Sequence, residues 1–149
     1  MKMHSRALGA LLVGLSLASM AGAATAAERS YTEGPVVNVS SIRTEPGMFD
    51  EYMKYLAGPY KQMMEAQKAA GIILDYKVYS VTPRSPDDPD IYLLTTYKNM
   101  AALDGLTDRV EPIQQKMFGD MAARSARTIE RGKLRSLVGS QQLRRLELK

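Results

Sequence analysis

The sequence predicts a single α+β domain, in which four strands and two helical regions follow one another in the order β-α-β-β-α-β. Three observations support this prediction: β-branched or alternating segments of strand length, two stretches with apolar residues at helical spacing, and glycines or prolines at the boundaries. The chain has 149 residues, of which 45% are hydrophobic and 24% are charged. This composition is typical of a globular protein.

Residues 1–27 are predicted to be a cleaved signal peptide, so we expect the protein to be periplasmic or secreted. Lys2 and Arg6 precede an uncharged apolar run, and Ala24-Thr25-Ala26 supplies the small residues of a cleavage site. The alternative is an uncleaved anchor, since the charge-free run is marginally long enough to span a bilayer. No later segment has that length and apolarity, so no stable membrane insertion is expected after cleavage.

Residues 28–35 are expected to be a flexible, polar lead-in, and residues 36–149 to form one domain. Within the first helix, Gly58-Pro59 predicts a kink, because a proline removes a backbone hydrogen bond. Gly71 is the expected end of that helix. The predicted elements are, in order, strand 36–43, a helix over 49–70, strands 72–81 and 91–98, a short helix over 100–104 that Asn99 caps, a longer helix from about 108 or 111 to 131, and strand 141–148.

This order is the ferredoxin-like arrangement, in which helices cover one face of a four-stranded antiparallel sheet. The predicted strands carry apolar residues on both faces. A monomer would therefore expose one face as a patch that soluble proteins rarely tolerate. We expect two sheets to pack face to face in a homodimer.

Several segments resemble the dimeric α/β-barrel superfamily: Pro46-Gly47, the helix end Ala69-Ala70-Gly71, a tyrosine-rich hairpin, and residues 97–103 (YKNMAAL). The resemblance covers about residues 36–148 and implies ferredoxin-like subunits that pair their sheets into a barrel. The superfamily includes haem-degrading monooxygenases, cofactor-free quinol monooxygenases and isomerases of small lactones, so it implies no single activity. Its haem-binding members generally use a histidine ligand.

The chain has no cysteine, and its one histidine, His4, lies in the predicted leader. The domain therefore offers no thiol nucleophile, no histidine-based triad and no Cys/His zinc or haem ligand. Asp87, Asp88 and Asp90 are closely spaced, but Pro86 and Pro89 beside them favour a solvated turn over a calcium site. We expect neither a metal nor a cofactor.

Three functions remain open from the residues, of which the third is a structural partner that uses its basic C-terminal helix on an anionic surface. The first is an exported homodimeric small-molecule-binding protein, with a pocket between sheet and helices for a small apolar or aromatic ligand. The second is a cofactor-independent monooxygenase or isomerase that acts on a small aromatic or lactone-like substrate, with Asp75 as a general base. The candidate ligand-binding residues are Met53, Tyr60, Tyr76, Tyr79 and Tyr92.

Each candidate also has a structural interpretation. Tyrosines are common in strands and half-buried cores. Asp75 would be structural if it faced solvent or paired with Lys77 or Arg43.

The C-terminal part of the chain is basic, with ten Lys and Arg against four acids over residues 109–149. Arg124, Arg127, Arg131 and Arg135 fall on one stripe if the helix continues through them. This stripe is either a surface for an anionic partner or the solvated face of an amphipathic helix. A nucleic-acid partner is not expected, because no recognised nucleic-acid-binding motif is present.

Overall fold

The computed structural model describes residues 28–149, and the predicted signal peptide lies outside them. The described chain forms a four-stranded sheet in the order β2-β3-β1-β4, with every neighbouring pair antiparallel. The elements are β1 (Tyr31–Thr44), α1 (Phe49–Tyr55), a π-helical turn (Leu56–Tyr60), α2 (Lys61–Ala69), β2 (Asp75–Ser80), β3 (Ile91–Tyr97), a 3₁₀ helix (Met100–Leu103), α3 (Leu106–Phe118), α4 (Met121–Gly132) and β4 (Arg135–Leu148). The strand order confirms the predicted α+β, ferredoxin-like fold.

The helix-covered face of the sheet contains the core. Ile42 on β1 and its cross-strand partner Ile91 on β3 pack against Tyr52 and Leu56, and all four side chains are almost fully buried. A second buried cluster joins the end of α2, strand β3 and helix α3. Its members are Ile72, Ile73, Tyr97 and Val110.

The opposite face of the sheet, here called the open face, carries the alternate residues of the same strands. Val39 and Leu94 are cross-strand partners there, as are Tyr79 and Tyr92. Tyr79 is 52% exposed and Leu143, beside them on β4, is 49% exposed. Both faces of the sheet therefore carry apolar residues, as the strand alternation predicts.

The ends of the first helical region follow the sequence signals. The predicted kink at Gly58-Pro59 takes the form of the π-helical turn. In such a turn the backbone hydrogen bonds span five residues, whereas those of an α-helix span four. Gly71 ends the region with φ +68°, and its N–H donates to the carbonyl of Lys68 while that of Ile72 donates to Gln67. This pair of bonds is a Schellman motif, for which a glycine is suited.

The first and last strands of the chain are both longer in the structure than predicted. Strand β1 begins at Tyr31, inside the expected lead-in of residues 28–35, because residues 31–33 pair with residues 146–148 of β4. Strand β4 begins at Arg135, before the expected start at residue 141, since residues 135–137 pair with the end of β1. Long pairing between the first and last strands stabilises segments whose own sequence is polar.

The predicted long second helix is instead two helices, α3 and α4. Gly119 separates them with φ +84° and ψ −161°, a backbone conformation that is essentially restricted to glycine. Asp120 then caps α4, because its Oδ1 accepts the N–H of Ala123 at 2.9 Å. Among residues 28–149, no helix combines the length and the apolarity needed to cross a membrane.

Candidate functional site

A cavity of about 890 Å³ lies between the first helical region and helix α4. Methionines, aromatic rings and short apolar side chains line its interior, and basic residues of α4 line one wall. The apolar lining includes Met48, Pro59, Tyr60, Met63, Phe118 and Leu134. Gly119 precedes this wall, because the helix break at this glycine ends α3 and lets α4 begin in a new direction.

Helix α4 turns Arg124 and Arg131 toward the protein, whereas Arg127 and the larger apolar residues of the helix are exposed. The side chain of Arg124 is only 13% exposed and Arg131 is half-buried, whereas Met121 and Ile129 are 67% and 65% exposed. No residue of α4 joins the buried core. The stripe that the sequence suggests as either a surface for an anionic partner or a solvated face lines the cavity with Arg124, Arg127 and Arg131, of which Arg127 also stays exposed to solvent.

Arg124 attaches α4 to α3. Its guanidinium donates to both carboxylate oxygens of Glu111, at 2.8 and 2.6 Å, and to the side-chain oxygen of Gln114 at 3.0 Å. The hydrogen bonds from Arg124 lower the pKa of Glu111, so the carboxylate is ionised at neutral pH. This two-point contact fixes the wall of the cavity in place.

Arg127 and Arg131 rest on aromatic rings instead of carboxylates. The guanidinium of Arg127 lies 5.4 Å from the ring centre of Phe118, and that of Arg131 lies 5.9 Å from the ring centre of Tyr55. Arg131 also donates to the hydroxyl of Tyr55 at 3.1 Å, and Tyr55 stacks on the buried ring of Tyr52. Within residues 28–149, neither arginine forms a salt bridge. Both therefore keep guanidinium N–H groups available beside the cavity.

Arg135 does not join the other three arginines in the cavity lining. It is the first residue of β4, past the end of α4, and its Nε is buried without a hydrogen-bond partner among the described residues. The predicted stripe therefore has three arginines on α4. The fourth, Arg135, does not belong to it, because β4 begins at that residue.

The five predicted ligand-binding residues do not share one pocket. Tyr60 lines the cavity, and its ring meets that of Tyr76 edge to face at 6.1 Å. Tyr79 and Tyr92 face each other on the opposite side of the sheet, and Met53 is 37% exposed and does not line the cavity. Only Tyr60 of the predicted set therefore belongs to this site.

The hydroxyls of the two tyrosines that meet differ in their partners. Tyr76 donates to Glu65 at 2.7 Å, and this hydrogen bond raises the pKa of Tyr76 to about 12. Burial raises the pKa of Tyr60, whose hydroxyl has no partner among the described residues. Both hydroxyls are therefore neutral at physiological pH.

Asp75 is held by two lysines. Its carboxylate lies 3.1 Å from the ammonium of Lys77 and 3.2 Å from that of Lys68. The hydrogen bonds from Lys77 and Lys68 lower the pKa of Asp75, whereas a general base that works by desolvation needs a raised one. The structural alternative, pairing with Lys77, matches this geometry.

The hairpin aspartates bond to separate partners. Asp87 pairs with Arg43 at 2.9 Å, and Asp88 accepts the backbone N–H groups of Arg84 and Ser85. Asp90 accepts from the backbone and the hydroxyl of Thr44. In the described part of the chain, no three His, Cys, Asp or Glu side chains are grouped so that they could hold a metal ion.

Three residues of the site are not signalled by the sequence: Glu111, Phe118 and Tyr55. Each joins the site only through contact with α4, across 13 residues of sequence for Glu111 and 76 for Tyr55. The one local signal is Gly119-Asp120, a glycine followed by a capping residue, which marks the turn that brings Phe118 under Arg127.

No family model matches this chain, and no curated protein matches it either. Among solved structures, it is similar to HapK from Hahella chejuensis, with 8% identity over 72% of this chain and 90% of that chain, and a TM-score of 0.49. It is also similar to protein SO0527 from Shewanella oneidensis, with 13% identity over 78% of this chain and 96% of that chain, and the same TM-score. The fold assignment rests on the strand order of the chain itself.

Proposed function

We propose that this chain is an exported, homodimeric small-molecule-binding protein, and that the cavity beneath α4 is its ligand site. The cavity carries the proposal. Its volume of about 890 Å³ lies within the range of small-molecule sites, roughly 300–1,000 Å³. An apolar interior with a few placed polar groups is the usual composition of such sites.

The open face of the sheet supports the homodimer. Val39, Leu94 and Tyr92 lie side by side there, and the more exposed Tyr79 and Leu143 extend the same apolar surface toward both sheet edges. A second copy of this face would cover the patch with an identical one, as a two-fold interface requires.

The alternative function, a cofactor-independent monooxygenase or isomerase, has no comparable support. Asp75 does not line the cavity, and its lysine partners hold its pKa below the ordinary value. The ligand-binding proposal therefore takes precedence.

The binding proposal is tested with N-phenyl-1-naphthylamine, a neutral apolar fluorophore, titrated into the purified protein. Ala126 is exposed on α4 and lines the cavity, so Ala126→Trp should fill the cavity with little strain on the fold. Ala122, one turn earlier and outside the lining, provides the same substitution as a control. We expect Ala126→Trp to weaken binding by about tenfold or more, and Ala122→Trp to change it by less than about twofold.

Equal binding by the wild type and both variants would place the fluorophore elsewhere and contradict the proposed site. Native mass spectrometry of the protein from its own host adds an independent measurement. It should show a bound small molecule that Ala126→Trp loses. The mass of the chain also tests export, because removal of residues 1–27 is expected.

The dimer is tested by light scattering on a sizing column. Leu94→Glu places a charge in the middle of the open face and should yield monomers. Ile129→Glu places the same charge on the outward side of α4 and should leave the dimer intact. A wild-type protein that is monomeric at high concentration would contradict the homodimer.

A further inference from the structure

We propose that the ligand of this cavity is a small organic anion, with a carboxylate or sulfonate group on an apolar ring or chain, and that Arg127 and Arg131 bind the anionic group. This inference rests on the proposed function, since it names the ligand class of the same site. It concerns only the charged wall, and its failure would leave the cavity as a site for a neutral ligand.

The charges of the wall are not balanced by the protein. Four cationic residues line the cavity, Arg124, Arg127, Arg131 and Lys133, against one acid, Glu130. Arg124 is paired with Glu111, and Lys133 is paired with Glu130 at 2.7 Å. Arg127 and Arg131 have no carboxylate partner within residues 28–149, so two positive charges remain beside an apolar wall.

The rings under these arginines position them for binding. The guanidinium carbons of Arg127 and Arg131 lie 5.4 and 5.9 Å from the ring centres of Phe118 and Tyr55, a favourable cation–π arrangement that uses no carboxylate. Arg131 is additionally oriented by its bond to the hydroxyl of Tyr55. The edge of a guanidinium matches a carboxylate or sulfonate, which can accept two parallel hydrogen bonds.

The shape of the wall favours a small anion over a membrane or a polyanionic surface. Arg124 and Arg131 face inward, Arg127 is exposed at the edge of the cavity that it lines, and the outward side of α4 presents Met121 and Ile129. Attraction to a large anionic surface requires positive charge on an accessible convex face. Here the charge lines a concavity whose remaining wall is apolar, so the ligand needs an anionic end and an apolar body.

The test compares two fluorophores that share one ring system. 1-Anilinonaphthalene-8-sulfonate carries an anion, and N-phenyl-1-naphthylamine does not. The variant Arg127→Gln with Arg131→Gln removes both unpaired charges. The control, Arg84→Gln with Arg145→Gln, makes the same charge change at side chains that are 93% and 67% exposed and outside the cavity lining.

We expect the Arg127/Arg131 variant to weaken sulfonate binding by about tenfold or more, and to change binding of the neutral fluorophore by less than about twofold. The control variant should leave both affinities nearly unchanged. Added salt should weaken binding of the sulfonate but not of the neutral fluorophore, because salt screens the attraction between the anion and the arginines at a partly open site.

Several outcomes overturn the inference. If the variant leaves sulfonate binding unchanged, or weakens both fluorophores equally, the arginines do not bind an anion, although the cavity remains a site for neutral molecules. If neither fluorophore binds the wild type, the proposed function falls as well. If phosphatidylglycerol vesicles bind the protein through the same two arginines, the stripe is a membrane surface and the small-anion assignment is wrong.

Discussion

Two leucine-sized side chains on strand β3 should respond differently to truncation, since they lie on opposite faces of the sheet. Ile91 is fully buried under Tyr52 and Leu56, and Leu94 lies half-buried on the open face. Ile91→Ala removes three carbon groups, each worth about 0.8 kcal/mol on burial. With the cost of the remaining cavity, we expect a loss of about 3 kcal/mol in the free energy of unfolding.

The measurement is urea unfolding followed by far-ultraviolet circular dichroism at two protein concentrations. With a urea dependence of about 2 kcal/mol per M, Ile91→Ala should lower the midpoint by roughly 1.5 M at both concentrations. The loss in unfolding free energy caused by Leu94→Ala should depend on protein concentration. It should be smaller in dilute protein than in protein concentrated enough for the open faces of two copies to pair.

A loss below about 1 kcal/mol for Ile91→Ala would refute the assignment of the core to the helix-covered face. A Leu94→Ala effect that is independent of protein concentration would remove the support that the open face gives to the homodimer. The two results are separate, because the core of each subunit does not depend on how the subunits pair.

Three further predictions concern titration and backbone conformation. The lysines beside Asp75 lower its pKa, so the stabilisation from this carboxylate is complete above the unfolded-state value of about 4 and is lost as the pH falls through the folded-state value; Asp75→Asn should therefore flatten the pH dependence of urea unfolding in that acid range. The bond to Glu65 raises the pKa of Tyr76 to about 12, and Glu65→Gln should return one tyrosine toward about 10 in an ultraviolet titration, whereas an unchanged titration would contradict the bond. Gly119→Ala should destabilise the protein by about 1–3 kcal/mol in urea unfolding, because φ is +84° there; Gly58→Ala, at ordinary φ with open space around the new Cβ, is the control and should not show this loss.

The fold could be predicted because its signals are local. Apolar spacing and the glycines at Gly71 and Gly105 identify the elements and their order. The bounds of the first and last strands could not be predicted in this way, since residues 31–33 are strand through pairing with residues 146–148, and residues 135–140 through pairing with residues 40–44. Pairing between the first and last strands is a long-range contact. The residues of these polar segments therefore do not predict it on their own.

The tyrosines illustrate a different limit. Strand alternation already places Tyr76 and Tyr79 on opposite faces of β2, so one pocket between sheet and helices could not take both. The structure adds the partner of each: Glu65 for Tyr76, and Tyr92 across the strand for Tyr79. Residue type alone made the three strand tyrosines candidates for ligand binding. The structure places Tyr79 and Tyr92 on the open face and Tyr76 on the opposite, helix-covered face.

Helix α4 shows why the site itself could not be read from the sequence. The spacing of Arg124, Arg127 and Arg131 marks one face, but a charged face ordinarily points to solvent. Here Glu111 and the ring of Tyr55 turn Arg124 and Arg131 inward, and Arg127 lies over the ring of Phe118 at the exposed edge of the cavity.

Only the first of these guanidinium partners is an anion. Arg131 is partly buried and Arg127 is exposed, and neither has a carboxylate partner among residues 28–149; a ligand with an anionic end and an apolar body would complement both the charges and the apolar wall beside them. The same arrangement that hides the site from sequence analysis is therefore the basis of the proposal that its ligand is a small organic anion.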